Sequence, residues 1–461
     1  MNYKSQSLFI LLIGCSSICL AAQHDLAVRN VTLVDAVSGV RPAQTVLVAE
    51  GSITAIVPSD ADINAAHTID GTGKVLIPGL WDMHVHIVYE PELIEAMPDL
   101  FLDYGITSVR DTGALLDRIS PQVSRWRALG AQAPDLFFSG PLLDGRLVVY
   151  DGNDRPEIGV PNASVDAALA QFDQLVAAGV DLIKIYELVS PEVFEALVAA
   201  AKSAGLPIAA HVPLSMRAEH AGPKVNSMEH LRNIEIACAT NATELHQLRN
   251  QTLKNPEGRS GYALRQHLHS SQRPLAMQNA DPNSEACRAV LRSLINTIQV
   301  PTLRLNTITR YSPAARADWK VHLARLPPPL AQEWMQTAQR FAGQTSALGN
   351  SLADWSLATT TALREEGVPI GAGTDTPIGQ AIPGYSLHTE LERLVDAGLT
   401  PQQALYAATV VPAQFFDLQQ EMGQIKPGMQ ADLVLLQANP LEDIRNTRRI
   451  MAVISDGQQV R

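Results

Sequence analysis

Between residues 82 and 375 the chain alternates short β-type runs with helical stretches, and this alternation limits the fold more than any other feature. Eight runs rich in apolar residues occupy 82–86, 106–111, 136–140, 182–187, 207–212, 225–230, 297–303 and 368–375. Helical stretches separate most of them, the clearest at 166–178 and 191–204. In the first, Leu169, Phe172 and Val176 are spaced for one helix face; in the second, Pro191 suits the first turn, where a missing N–H costs nothing. Strands alternating with helices give an α/β fold with a parallel sheet, and eight such units fit a (β/α)8 TIM barrel. Periodicity alone also allows a doubly wound sheet.

The two ends read differently. Residues 26–33, 45–49 and 52–57 look like short strands with a turn at Gly51, and 431–436 and 450–454 are β-rich after Gly423, Pro427 and Gly428. We therefore expect a small β-sandwich domain formed from both chain ends, residues 23–78 and 416–461, around a barrel at 79–415. The stretch from about 240 to 355 exceeds what one barrel repeat needs. Rich in Gln, Asn, Arg and Pro and with one convincing strand, it predicts helical insertions near the substrate mouth.

With 461 residues, 46% of them hydrophobic and 18% charged, the chain suits one large α/β domain plus a small one. Its 35 basic and 47 acidic residues give a net charge of −12 without a block of either sign, which argues against nucleic acid and anionic membrane surfaces as partners. Residues 1–22 resemble an export signal: Lys4, an apolar run from Leu8 to Ile13, then Ala21 and Ala22. That run is too short and interrupted for a membrane span. Cleavage near Ala22 would release a soluble protein, while Leu12-Ile13-Gly14-Cys15 resembles a lipoprotein box that would anchor a lipid at Cys15. Either route predicts a periplasmic or extracellular protein. Cys238 and Cys287 remain in the body, as one disulfide or as two free thiols.

The ionisable residues gather where strands should end. His84 and His86 sit two apart on the first run, so both imidazoles leave the strand on one side and make a half-site for a divalent ion. Lys184 lies in the fourth run, while His211, His230 and Asp375 end the fifth, sixth and eighth. Singly each has a plainer reading: a core histidine, a misplaced strand around a costly buried lysine, a helix-capping aspartate. Six together at the C-terminal strand ends, where barrel enzymes build their sites, favour a metal centre. Arg110 and Asp111 end the second run and are expected to pair with each other.

The segments IPGLWDMHVH, ITSVRDTG, DLIKIY, AAHVP, SMEHL, GAGTDT and GQIKPGMQADLVLLQANPLEDI resemble the metal-dependent amidohydrolase superfamily, in its imidazolonepropionase-like and Xaa-Pro-dipeptidase-like branch. The resemblance covers nearly all of the chain after the signal. It implies two divalent ions, with zinc expected: His84, His86 and Asp375 on the first, His211 and His230 on the second. Lys184, modified to a CO2-derived carbamate, would bridge them. It further implies hydrolysis of a C–N amide bond, of peptide or N-acyl amino acid type, by a metal-activated hydroxide with Asp375 as general base. Tyr186 and His388 are candidates for steadying the substrate. Alternatives on the same fold are a mononuclear deaminase or cyclic-amide hydrolase, or a lactone hydrolase. A small-molecule or dipeptide-like substrate and a homo-oligomer are expected.

Overall fold

The computed structural model describes residues 24–153, 155–344 and 346–461. The expected signal, with Cys15, lies outside them. Among the described residues no helix is long and apolar enough to cross a membrane.

Both chain ends meet in one eight-stranded mixed sheet. The N-terminal side supplies His24–Asp35, Gly39–Ala49, Ser52–Pro58, Ala65–Asp70 and Val75–Pro78; the C-terminal side supplies Leu433–Leu436, Ile450–Ser455 and Gln458–Gln459. Val75–Pro78 joins the two sets, running parallel to the first strand on one side and antiparallel to Leu433–Leu436 on the other. The ends are therefore joined edge to edge by backbone hydrogen bonds, and this pairing differs from the two face-to-face sheets expected of a sandwich. Val31, Leu33, Val46, Val48, Leu433 and Leu435 share a core of its own on this sheet.

The body is α/β with parallel strands, in two arcs. Leu80–Val85, Ile106–Asp111 and Asp135–Phe138 form one; Gly159–Pro161, Leu142–Asp144, Ile183–Ile185, Ile208–Ala210, Ser227–Glu229 and Ile298–Val300 form the other. The third expected run is divided at Gly140, whose φ of +70° turns the chain before Leu142–Asp144 pairs with Ile183–Ile185. The eighth expected run makes one isolated parallel bridge, Ile370 to Gln299, and Thr376 just beyond it another, to Val85, in place of a regular strand. Gly373 shows why it lies so close: a Cβ there would sit 2.8 Å from that of His84. The ladder thus spans two linked arcs and is not the continuous closed barrel the alternation suggested.

Strand alternation sorts the side chains that matter. Ile183 and Ile185 pack outward in the main core with Phe194 and Leu197 of the helix Pro191–Ala204, whereas Leu182 joins a separate cluster with Met83, Ala209 and Val300. Lys184 therefore falls on the inner side by the same two-residue period. Ser164 and Ser190 cap the helices Val165–Ala178 and Pro191–Ala204 by accepting from the N–H groups of Ala167 and Val193. The buried stripe of the first is Ala168, Phe172 and Leu175; Val176, expected on that face, is exposed. The insertion is helical, with Ala242–Lys254, Gly261–Asn279, Glu285–Arg292, Pro328–Phe341 and Ala347–Glu365 among its elements. A disulfide joins Cys238 to Cys287 and closes the loop that carries the first two of these helices.

Candidate metal centre

Four strand ends and the segment after Gly373 bring their polar residues to one cavity. His84, His86, Lys184, His211, His230 and Asp375 all line it, as does Tyr186. His84 is the fifth residue of Leu80–Val85, Lys184 the centre of Ile183–Ile185, and His211 and His230 follow directly on Ile208–Ala210 and Ser227–Glu229. His230 and Asp375 have φ of +60° and +61°. Non-glycine residues rarely take this region, and when they do the surrounding structure must hold them there.

Asp375 Oδ1 lies 3.2 Å from His84 Nε2 and 3.2 Å from His86 Nε2. One ligand atom from each of these three residues falls within 4.8 Å of the other two. The His84 and His230 rings are 4.5 Å apart between centroids, and those of His211 and His230 4.9 Å.

Each of the four histidines commits Nδ1 to a protein partner, which fixes the ring and leaves Nε2 for the cavity. His84 Nδ1 donates to Glu229 Oε2 at 2.7 Å, His86 Nδ1 to the Gly113 carbonyl at 3.1 Å, and His211 Nδ1 to Glu187 Oε1 at 2.7 Å. His230 Nδ1 lies 2.9 Å from Thr302 Oγ1. Such outer partners set the tautomer and orientation of metal-binding imidazoles.

The electrostatics favour a neutral imidazole at His211 and His230 and an ionised carboxylate at Asp375 and Glu229. Burial, reinforced by the Lys184 cation, pushes His211 down to about 3, and burial holds His230 well below the usual imidazole range. Burial alone would raise Asp375, yet His230, His84 and His86 together hold it well below the ordinary carboxylate range. Glu229 is likewise held down against burial, by Arg110 and then Lys184.

Lys184 is the exception in this network. It is buried, and its Nζ has no hydrogen-bond partner. Burial pushes it down to about 8, with Arg110 adding to the effect and Glu229 opposing it. An ammonium there is costly, so the position suits a neutral or modified amine. The donor set fits divalent metal: imidazole nitrogens with fixed tautomers, an ionised carboxylate, and an orphaned amine in the same cavity.

Two expectations do not hold. His388 does not line the cavity: it is buried in the helix Tyr385–Asp396, with Nδ1 2.9 Å from Thr447 Oγ1 and Nε2 3.0 Å from the Tyr104 carbonyl. With both ring nitrogens engaged, it holds this helix to neighbouring segments and has none left for substrate. Arg110 and Asp111 do not pair with each other. Arg110 donates to Glu229 Oε1 at 2.9 Å and to Ser227 Oγ, while Asp111 accepts from the N–H groups of Ile87 and Gly113.

Several residues that support or line the cavity escaped the sequence reading. Glu229 and Glu187 adjoin His230 and Tyr186, and a glutamate inside an apolar strand run was a usable signal. Arg265, from the inserted helix Gly261–Asn279, reaches Glu187 at 3.0 Å and lines the cavity; nothing in its local sequence marked it.

A profile of the amidohydrolase family matches residues 75–460. The chain belongs to the amidohydrolase family. Members of this family generally bind divalent metals, and the His84–His86–Asp375 group is present in this amidohydrolase. Among solved structures it is similar to a Xaa-Pro dipeptidase with bound methionine (TM-score 0.67, 19% identity, 94% of this chain and 99% of that one). It is also similar to a bottromycin amidohydrolase (0.69, 23%, 94% and 86%) and to an Aspergillus niger ochratoxinase (0.64, 18%, 95% and 96%). The L-hydantoinase of Paenarthrobacter aurescens is 41% identical over 64 residues, 14% of each chain. The Aspergillus niger ochratoxinase is 37% identical over 97 residues, 21% of this chain and 19% of that one. The matched segments thus span less than a fifth of these curated relatives.

Proposed function

We propose that this amidohydrolase holds a pair of divalent ions and hydrolyses a C–N amide bond to a carboxylic acid and an amine. His84, His86 and Asp375 would hold one ion, His211 and His230 the other, and Lys184 as its carbamate would bridge them. The carrying observation is the unpartnered Nζ of Lys184 in the same cavity that the four histidines and Asp375 line. A neutral lysine amine adds CO2 and releases a proton, which turns an uncompensated buried cation into an anionic oxygen ligand. The depressed pKa keeps a useful share of the amine neutral near pH 8.

Bound ions of this kind lower the pKa of a water and polarise the substrate carbonyl. Asp375, ionised and facing His84 and His86, takes the proton from the attacking water and passes it to the departing amine nitrogen. Tyr186 lines the same cavity, and burial keeps its hydroxyl protonated, so it is available as a donor to substrate oxygen. Glu229 and Glu187 keep His84 and His211 oriented. An exported protein, processed near Ala22 or lipidated at Cys15, remains the expected setting.

The test is hydrolysis of dipeptides and N-acyl amino acids by zinc-loaded protein supplied with isotope-labelled bicarbonate. Turnover with label on Lys184, both lost in Lys184→Ala, supports the reading; full turnover in Lys184→Ala refutes the bridge. The close grouping of His84, His86 and Asp375 alone favours a second reading, a mononuclear deaminase or cyclic-amide hydrolase. It requires turnover with a single ion and no label on Lys184.

A further inference from the structure

The inserted helix Gly261–Asn279 contributes to two separate cavities. Arg265 lines the metal cavity, while His269 and Arg273, further along the helix, line another of about 660 Å³. The two cavities share no lining residue.

Arg273 is only 8% exposed, and two of its three guanidinium nitrogens are engaged. Nε donates to Glu235 Oε1 at 2.8 Å and Nη2 donates to His269 Nδ1. Nη1 makes no hydrogen bond to the described residues and is not shut off from solvent, so it opens on this second cavity. The charge around it is unbalanced. Arg232, Arg249, Arg265 and Arg273 gather about two carboxylates, Glu187 and Glu235.

The same cavity takes in a helix start. Ser346, Leu348 and Gly349 line it, at the N-terminus of the 19-residue helix Ala347–Glu365. Ser346 Oγ accepts from the Gly349 N–H at 3.0 Å, and its carbonyl accepts from the Asn350 N–H. The N–H groups of Ala347 and Leu348 are left without an intrahelical acceptor. The first turn holds no Asp or Glu, and no carboxylate lines the cavity. A guanidinium N–H and the positive end of a helix in one cavity favour an anion.

We propose that this cavity binds a phosphate-type oxyanion, held by Arg273 Nη1 and the first N–H groups of the helix Ala347–Glu365. Phosphate suits it better than a carboxylate, since it offers more acceptor oxygens to donors from two helices. The site lies outside the amide-hydrolase reading and stands without it. Hydrogen bonds nevertheless connect it to the metal cavity: Arg273 to His269, His269 Nε2 to Glu187 at 2.9 Å, and Glu187 to His211 Nδ1 at 2.7 Å.

Calorimetric titration of the full-length zinc-loaded protein with inorganic phosphate, and with acetate beside it, tests the proposal. The wild type should bind phosphate more tightly than acetate. Arg273→Gln should weaken phosphate binding by roughly 10- to 100-fold, the range of a charge-assisted hydrogen bond. Ser346→Asp keeps an acceptor at the cap of this exposed helix start and adds a negative charge where the phosphate would sit. It should weaken binding by a similar factor with zinc content at the wild-type level, and it decides the matter where Arg273→Gln fails to fold. Absence of phosphate binding by the wild type, acetate bound as tightly, or an unaltered phosphate affinity in either variant overturns the proposal. So does a loss of zinc together with phosphate in Ser346→Asp, which would assign the phosphate to the metal centre.

Discussion

Buried histidines in this amidohydrolase come in two kinds. His84, His86, His211 and His230 each give one ring nitrogen to a protein partner and keep the other for the cavity; His388 gives both to the protein. Buried carboxylates divide in the same way. Glu229 and Glu187 are held ionised beneath His84 and His211 by Arg110 and Arg265. Asp432, by the junction of the terminal sheet and the body, lacks such a cation and is raised to about 8 by burial and then by Asp135. A buried group available for chemistry is one whose bonding capacity the fold has filled on one side only.

The contrast breaks most visibly at Asp375 and His388. Asp375→Asn should lower amide hydrolysis by roughly 100- to 10,000-fold, the span of a lost general base. His388→Asn should leave turnover near wild type and lower the melting temperature instead. Comparable losses of turnover in both would erase the distinction.

A second difference separates rigid strand ends from the insertion that reaches them. The disulfide closes a 49-residue separation around the helix that carries Arg265. Replacing both Cys238 and Cys287 by Ser should destabilise the protein by up to about 4 kcal/mol, the loop-closure value for that length. Thermal unfolding checks this, and proteolytic nicking within the insertion should rise with it.

Glu229→Gln sharpens the account of ring orientation. It keeps the shape and removes the charge beneath His84, so zinc affinity should fall by about 10- to 100-fold. Competition with a chelator measures it. An unaltered affinity would mean that packing alone sets the ring.

Asp432 gives the smallest effect, and its sign is fixed by linkage. Its carboxyl pKa is raised in the folded state, so the folded protein binds an extra proton between about pH 4 and pH 8. Stability should therefore fall as pH rises through that window. Asp432→Asn should flatten this slope and stabilise the protein at pH 8 more than at pH 5, as followed by urea midpoints.

The six cavity residues and the β/α alternation could be read from sequence because each depends on a local period: histidines two apart on one strand, or polar residues closing an apolar run. Gly140 and Val75–Pro78 show what could not. Dividing the third run at a left-handed glycine depends on pairing with Ile183–Ile185, and joining both chain ends into one sheet depends on partners hundreds of residues apart. His388 was misjudged for a related reason. Its place near Asp375 in sequence says nothing of Thr447 and Tyr104, which fill its two nitrogens. Arg265 lay on a helix whose local sequence gave no sign of reaching the cavity.

Counting the metal is the most direct test of the central claim, that distant residues share a two-ion site bridged through Lys184. Protein purified with zinc and bicarbonate should hold two tightly bound ions per chain, and Lys184→Ala should lose at least one of them. A single ion per chain in the wild type, retained unchanged in Lys184→Ala, would contradict the account.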